Sequence, residues 1–199
     1  KFRGGWLYTG DLMRRDADYS EPDEYGNPSW NVVEAATRCE LQGMGSHEEL
    51  DGLSLQQTVP GPLGDPVDAR WAVLAGGVGV VEMARASGLA LVSGRNDPLR
   101  ASTRGTGELI RAAARGGIRR ILVGVGGSAT TDGGLGAVEA LGWSLQGLEV
   151  TVACDVTTPF LEAARVYGPQ KGASDAQVAL LTRRLERLAQ EYSNRTGVD

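Results

Sequence analysis

The sequence predicts an α/β fold whose strands are at least partly parallel, on three observations. Helix and strand signals alternate between residues 103 and 153. The run from Ile121 to Gly134 reads as buried strand, then glycine-rich loop, then helix. The last segment is an amphipathic helix introduced by Ser174 with Gln177 three residues on, a capping-box pattern.

In chain order, residues 1–30 are poorly patterned, and Asp16 to Pro28 is acidic, rich in turn residues and read as loop. Ser29 can cap a short helix through about Arg38. Val67 to Leu74, the pair Gly76-Gly77, and Val78 to Met83 predict a β-hairpin with a tight turn. Thr103 or Thr106 can cap a helix through Ala114. Gly116-Gly117 ends it, with Arg111 and Arg115 in its last turns. Ile118 to Val125 follows as strand, Gly133 to Leu141 as helix, and Glu149 to Ala153 as strand. In the last helix Val178, Leu181, Leu185, Leu188 and Tyr192 recur at spacings of three and four, which places them on one face.

Composition bounds the function classes. A chain of 199 residues can bury one good core or two small ones. The net charge of −5 argues against broad binding of a nucleic-acid backbone. No apolar run reaches the length of a membrane span, and the first residues do not form a signal peptide. With two cysteines, Cys39 and Cys154, no disulfide framework is expected, and a reduced, cytoplasmic location is the default. Glycine is the outlier at 29 residues, about twice the usual share.

The glycine loop carries the chemistry. Five glycines, three hydroxyls and one carboxylate fall within the eleven residues from Gly124 to Gly134. Gly126 and Gly127 let backbone N–H groups approach an anion, and Ser128, Thr130 and Thr131 add donors. Asp132 would repel a bare phosphate, so it needs a metal, a cation or a substrate hydroxyl as partner; its structural alternative is a helix cap. As a metal ligand or base, it should tolerate replacement by Asn with little change in melting temperature. Gly124-Val-Gly-Gly-Ser-Ala129 also matches a dinucleotide fingerprint, which leaves a NAD-dependent oxidoreductase as a rival reading.

Other candidates carry bland alternatives. Asp155, after a strand, can hold a metal or a hydroxyl, or simply form a turn. Lys171 precedes the last helix, where an anion would gain from its charge, or it is a loop lysine. Arg104 and Thr106 lie in a polar segment leading into a helix, where Arg104 can equally be a surface charge. Cys154 is expected to be packed, and His47 to sit in a surface loop.

Gly105-Thr-Gly-Glu-Leu-Ile-Arg111, Val125 to Gly134, Ala153-Cys-Asp-Val156 and Tyr167-Gly-Pro-Gln-Lys-Gly172 stand in the order seen in glycerate kinases of the bacterial type I family. Gly61 to Gly64, Val81 to Ala84 and Ser87 to Leu89 are similar to that family too, so the resemblance covers residues 58 to 190. It implies a two-domain glycerate kinase-like fold, with an inserted α/β domain and part of a Rossmann-like domain. The division would be 1–57 as a partial N-terminal region, 58–157 as the inserted domain, and 158–199 as the return to the first domain. It implies transfer of the ATP γ-phosphoryl group to D-glycerate with Mg2+. Asp132, Asp155 and Lys171 would be catalytic, with the two carboxylates as metal ligands. Gly126, Gly127, Ser128, Thr130, Thr131, Arg104, Thr106 and Lys1 would bind substrate or phosphate.

No nucleic-acid or membrane partner is expected, and a homodimer is compatible. The family's N-terminal motif survives only as Lys1 to Gly4, and Leu145 runs almost at once into Glu149 where the family has a longer connection. An incomplete or truncated chain is expected, with backbone breaks near Gly4–Gly5 and Leu145–Gln146. A non-catalytic, ligand-binding remnant of the family is the third reading.

Overall fold

The computed structural model describes residues 53–74, 76–154 and 156–197. Lys1, the Gly4–Gly5 bond, the helix expected from Ser29, His47 and Asp155 lie outside the described residues.

Five strands form one mixed sheet in chain order: β1 (Leu53–Pro60), β2 (Pro66–Leu74), β3 (Val78–Glu82), β4 (Arg120–Gly124) and β5 (Glu149–Ala153). β1, β2 and β3 are successively antiparallel, while β3, β4 and β5 are parallel. The expected hairpin is β2–β3, with Leu74 opposite Val78 and left-handed φ of 78° at Gly76 and 74° at Gly77. β1 was not anticipated. Its sequence, Leu-Ser-Leu-Gln-Gln-Thr-Val-Pro, has a weak alternation, and its pairing with β2 defines it.

Parallel neighbours need crossovers. Between β3 and β4 run α1 (Ala84–Ser87), a 3-10 turn at Leu89–Val92, and α2 (Arg104–Arg115). Between β4 and β5 runs α3 (Leu135–Ala140). Leu109, Ile110 and Ala113 of α2 pack with Trp71, Val81, Ile121 and Val123 of the sheet to make the main core.

The chain then passes 3-10 turns at Phe160–Glu162 and Pro169–Lys171, with α4 (Ala163–Tyr167) between them, and ends in α5 (Asp175–Thr196). The capping box at Ser174 and Gln177 is present. Leu181, Leu185 and Leu188 are buried along the predicted face, and Leu181 and Leu185 form a second core with Ala164 and Leu99.

The Leu148 N–H donates to Leu145 O at 2.9 Å and the Gln146 N–H to Ser144 Oγ at 3.2 Å, in the turn that leads from α3 into β5. One expectation is corrected. Cys154 is exposed rather than packed, because β5 is an edge strand and ends just before it.

Candidate active site

The parallel strands end level, with Glu82, Gly124 and Ala153 paired across the sheet. The glycine loop leaves β4 at this carboxyl edge, where open α/β sheets place ligands. It is anchored at both ends. The Val125 N–H donates to Ala153 O at 3.3 Å, the Leu89 N–H to Gly127 O, and the Ala129 N–H to Ser87 O, both at 2.9 Å.

Between those anchors the backbone is open. Gly126 and Gly127 are exposed, and a Cβ on Gly126 would meet nothing within 4 Å. Gly127 has φ 67°, a left-handed conformation that glycine adopts without strain. Among the described residues, the N–H groups of Gly126 and Gly127 donate to no acceptor, while the turn they form brings the Ser128 N–H back toward Val125 O. Neighbouring free donors at the end of the parallel part of the sheet are the kind of surface that suits a phosphate or carboxylate oxygen. Thr130 and Thr131 are buried behind them, and the Thr131 hydroxyl has no partner among the described residues.

Asp132 has a different environment. Oδ2 accepts from the Thr103 N–H at 2.8 Å, the Thr103 hydroxyl at 2.8 Å and the Gly136 N–H at 3.2 Å, and Oδ1 accepts from the Gly134 N–H at 3.2 Å. The Thr103 hydroxyl in turn accepts from the Ala137 N–H at 2.9 Å. One carboxylate thus satisfies free N–H groups at the starts of both α2 and α3, where its charge also meets two helix dipoles. The second half of the motif is spent on packing. A Cβ on Gly133 would lie 2.7 Å from Leu188 and Phe160, and one on Gly107 of α2 would lie 2.5 Å from Ala137 O.

Lys171 is buried, at 8% exposure. Its ammonium donates to Ser128 Oγ at 2.8 Å and to Thr130 O, so it lies behind the loop instead of facing solvent. Desolvation lowers its pKa from 10.5 to about 8, partly offset by the negative charge of Asp132. Asn96, which carries no motif signal in the sequence, completes this support. Its Nδ2 donates to Lys171 O at 2.8 Å and Ala129 O at 3.3 Å. Glu82, buried at the end of β3, takes an ion pair from Arg85 at 2.8 Å.

The other candidates are not brought to the open loop. The Thr106 hydroxyl is buried against Ser87 Oγ at 2.8 Å. Arg104 is exposed and pairs with Glu108 at 3.3 Å. Of the two metal ligands that the resemblance implies, Asp155 lies outside the described residues, and both oxygens of Asp132 accept hydrogen bonds from protein donors. The dinucleotide fingerprint also fails on geometry. It requires the helix to start at the glycine turn, whereas α3 begins at Leu135, six residues after Ala129, and its free N–H groups already meet Asp132. No helix among the described residues is long and apolar enough to cross a membrane.

The chain is 40% identical over 176 residues to glycerate 2-kinase of Escherichia coli (strain K12), which takes in 71% of this chain and 46% of that protein. It is 37% identical over 177 residues to glycerate kinase of Bacillus subtilis (strain 168), with the same shares. The chain therefore spans about half the length of these curated relatives. The match to glycerate kinase of Halalkalibacterium halodurans runs over 207 residues at 38% identity, yet takes in 86% of this 199-residue chain, so that relative holds residues with no counterpart here.

Among solved structures, a candidate glycerate kinase 2 from Salmonella typhimurium LT2 superposes with a TM-score of 0.74 at 33% identity. The match covers 84% of this chain and 51% of that one. The sequence model of the glycerate kinase family matches residues 45–147 and 143–199, two stretches that meet in the turn between α3 and β5. That turn is where the sequence runs short of the family's connection. The chain belongs to the glycerate kinase family.

Proposed function

We propose that this chain carries the anion-binding half of an ATP-dependent glycerate kinase, which transfers the γ-phosphoryl group to a hydroxyl of D-glycerate. The observation that carries the proposal is the open Gly126 and Gly127 N–H groups with the Ser128 hydroxyl beside them, at the carboxyl edge of the parallel strands in a chain of this family. In phosphoryl transfer a protein mainly positions groups and neutralises developing charge. Free backbone N–H groups do both for a phosphate or carboxylate without moving during the reaction.

In this reading Ser128 adds a hydroxyl donor at the rim, and Lys171 adds positive charge from behind. Asp132 holds the loop and both helix starts in place. The acid–base group then falls to Asp155, just past β5, or to a residue outside the described ones. ATP supplies the phosphoryl group when bound. Residues 58–157 are proposed as the inserted domain and 158–199 as the return to the first. A cytoplasmic location goes with this activity.

A coupled assay of ADP release, with ATP and a panel of small hydroxy acids, tests the proposal. Turnover with D-glycerate that is lost in Gly126→Val supports it. Binding of ATP or D-glycerate without turnover replaces it with the ligand-binding remnant. Turnover that Gly126→Val leaves unchanged moves the site elsewhere.

A further inference from the structure

The hydrogen bonds behind the glycine loop have a direction. A hydroxyl has one hydrogen to give and two lone pairs to receive with. Ser128 Oγ receives a hydrogen from the Lys171 ammonium at 2.8 Å, because an ammonium has no lone pair. The Ser128 O–H is therefore left to donate, and among the described residues no acceptor takes it. Ser128 is half-buried beside the exposed Gly126 and Gly127. Lys171 itself cannot swing out to a ligand without giving up Thr130 O, and its own carbonyl is held by Asn96.

We propose that Lys171 is a positioning residue that acts through Ser128: by donating to the hydroxyl oxygen, its ammonium fixes the Ser128 O–H as a donor toward a carboxylate or phosphate oxygen seated on the Gly126–Ser128 loop. This rests on the reading of that loop as the anion site. A hydrogen bond already donated to by a cation is strengthened by its neighbour, so the pair is worth more than Ser128 alone. If Lys171 loses its proton, its nitrogen gains a lone pair and the bond can reverse. Ser128 then donates inward and turns its lone pairs toward the anion. The charged group that faces Lys171 is Asp132, from the start of α3, and it favours the protonated form.

Calorimetric titration of the full chain with D-glycerate and, separately, ATP tests the coupling and distinguishes a carboxylate from a phosphate as occupant. Ser128→Ala and Lys171→Met are each expected to weaken binding of the occupant by about ten- to hundredfold, the scale of one hydrogen bond to a charged group. The double variant should be no weaker than Lys171→Met. Losses that multiply in the double variant would show independent action and overturn the proposal.

A second arm keeps Lys171 in place, in case Lys171→Met does not fold. Between about pH 7.5 and about 9.5 the wild type should lose affinity while Ser128→Ala stays flat, since neither ligand changes charge appreciably there. An equal loss in both would mean that the lysine charge acts on the ligand directly, against the proposal. Failure of the wild type to bind either ligand would overturn the reading of the loop itself, and this inference with it.

Discussion

The Thr103 hydroxyl donates to Asp132 Oδ2 at 2.8 Å and accepts from the Ala137 N–H at 2.9 Å, so the starts of two helices are tied to each other through one hydroxyl–carboxylate pair. Thr103 sits at the N-cap position of α2 but makes no side-chain cap there. It serves α3, while Asp132 receives the Thr103 N–H.

This exchange predicts that Asp132→Asn destabilises the fold. An amide keeps one acceptor and turns an NH2 group toward donors, which costs about 1–3 kcal/mol. At about 2–4 °C per kcal/mol for a chain of this size, thermal unfolding should fall by several degrees. An unchanged melting temperature with turnover lost would instead restore Asp132 as a base or metal ligand.

The glycines should separate by role. Gly107→Ala places a Cβ 2.5 Å from Ala137 O and 2.6 Å from its Cα, with backbone on both sides of the conflict. Overpacking of that kind costs about 1–3 kcal/mol or more and should show in a urea melt. Gly126→Ala has open space at its Cβ and no left-handed φ, so its melt should match the wild type while anion affinity falls. A destabilised Gly126→Ala would mean that the loop is structural throughout.

The hairpin, the capping box and the strand–loop–helix order were legible because each is written in local spacing. Gly76-Gly77, Ser174 with Gln177, and the apolar repeat of α5 act within a few residues. The role of Asp132 was not legible, since its partner Thr103 lies 29 residues away and a capping Asp reads like a catalytic one. Lys171 reaches Ser128 over 43 residues, and Asn96 reaches Lys171 over 75. Pairings of that length depend on how the β4 loop, the turn after α4 and the turn before α2 meet. β1 escaped notice for the same reason, because its strand character comes from pairing with β2.

Stability should depend on pH through Lys171 and Tyr192 in opposite senses. The folded Lys171 has its pKa lowered to about 8 from 10.5, so between those values the unfolded chain binds more protons and stability rises with pH. Relative to Lys171→Met, the wild type should gain up to about 1.4 kcal/mol per pH unit in that window, read by urea unfolding.

Tyr192 has its pKa raised from 10.0 to about 12, by burial first and then by Asp132, Glu191 and Glu139. Its contribution is present below pH 10.0 and is lost as pH rises toward 12. Tyr192→Phe should remove that upper decline. Parallel curves for wild type and Lys171→Met between pH 8 and 10.5 would show that Lys171 is not desolvated.

The most direct test of the central claim is an amide ¹H–¹⁵N titration of the wild-type chain with D-glycerate and with ATP. The account predicts that the Gly126, Gly127 and Ser128 signals shift together with one ligand or both. The Ala129 signal should move least, because its N–H is already given to Ser87 O at 2.9 Å. If those three signals stay fixed while others move, the glycine loop is not the anion site.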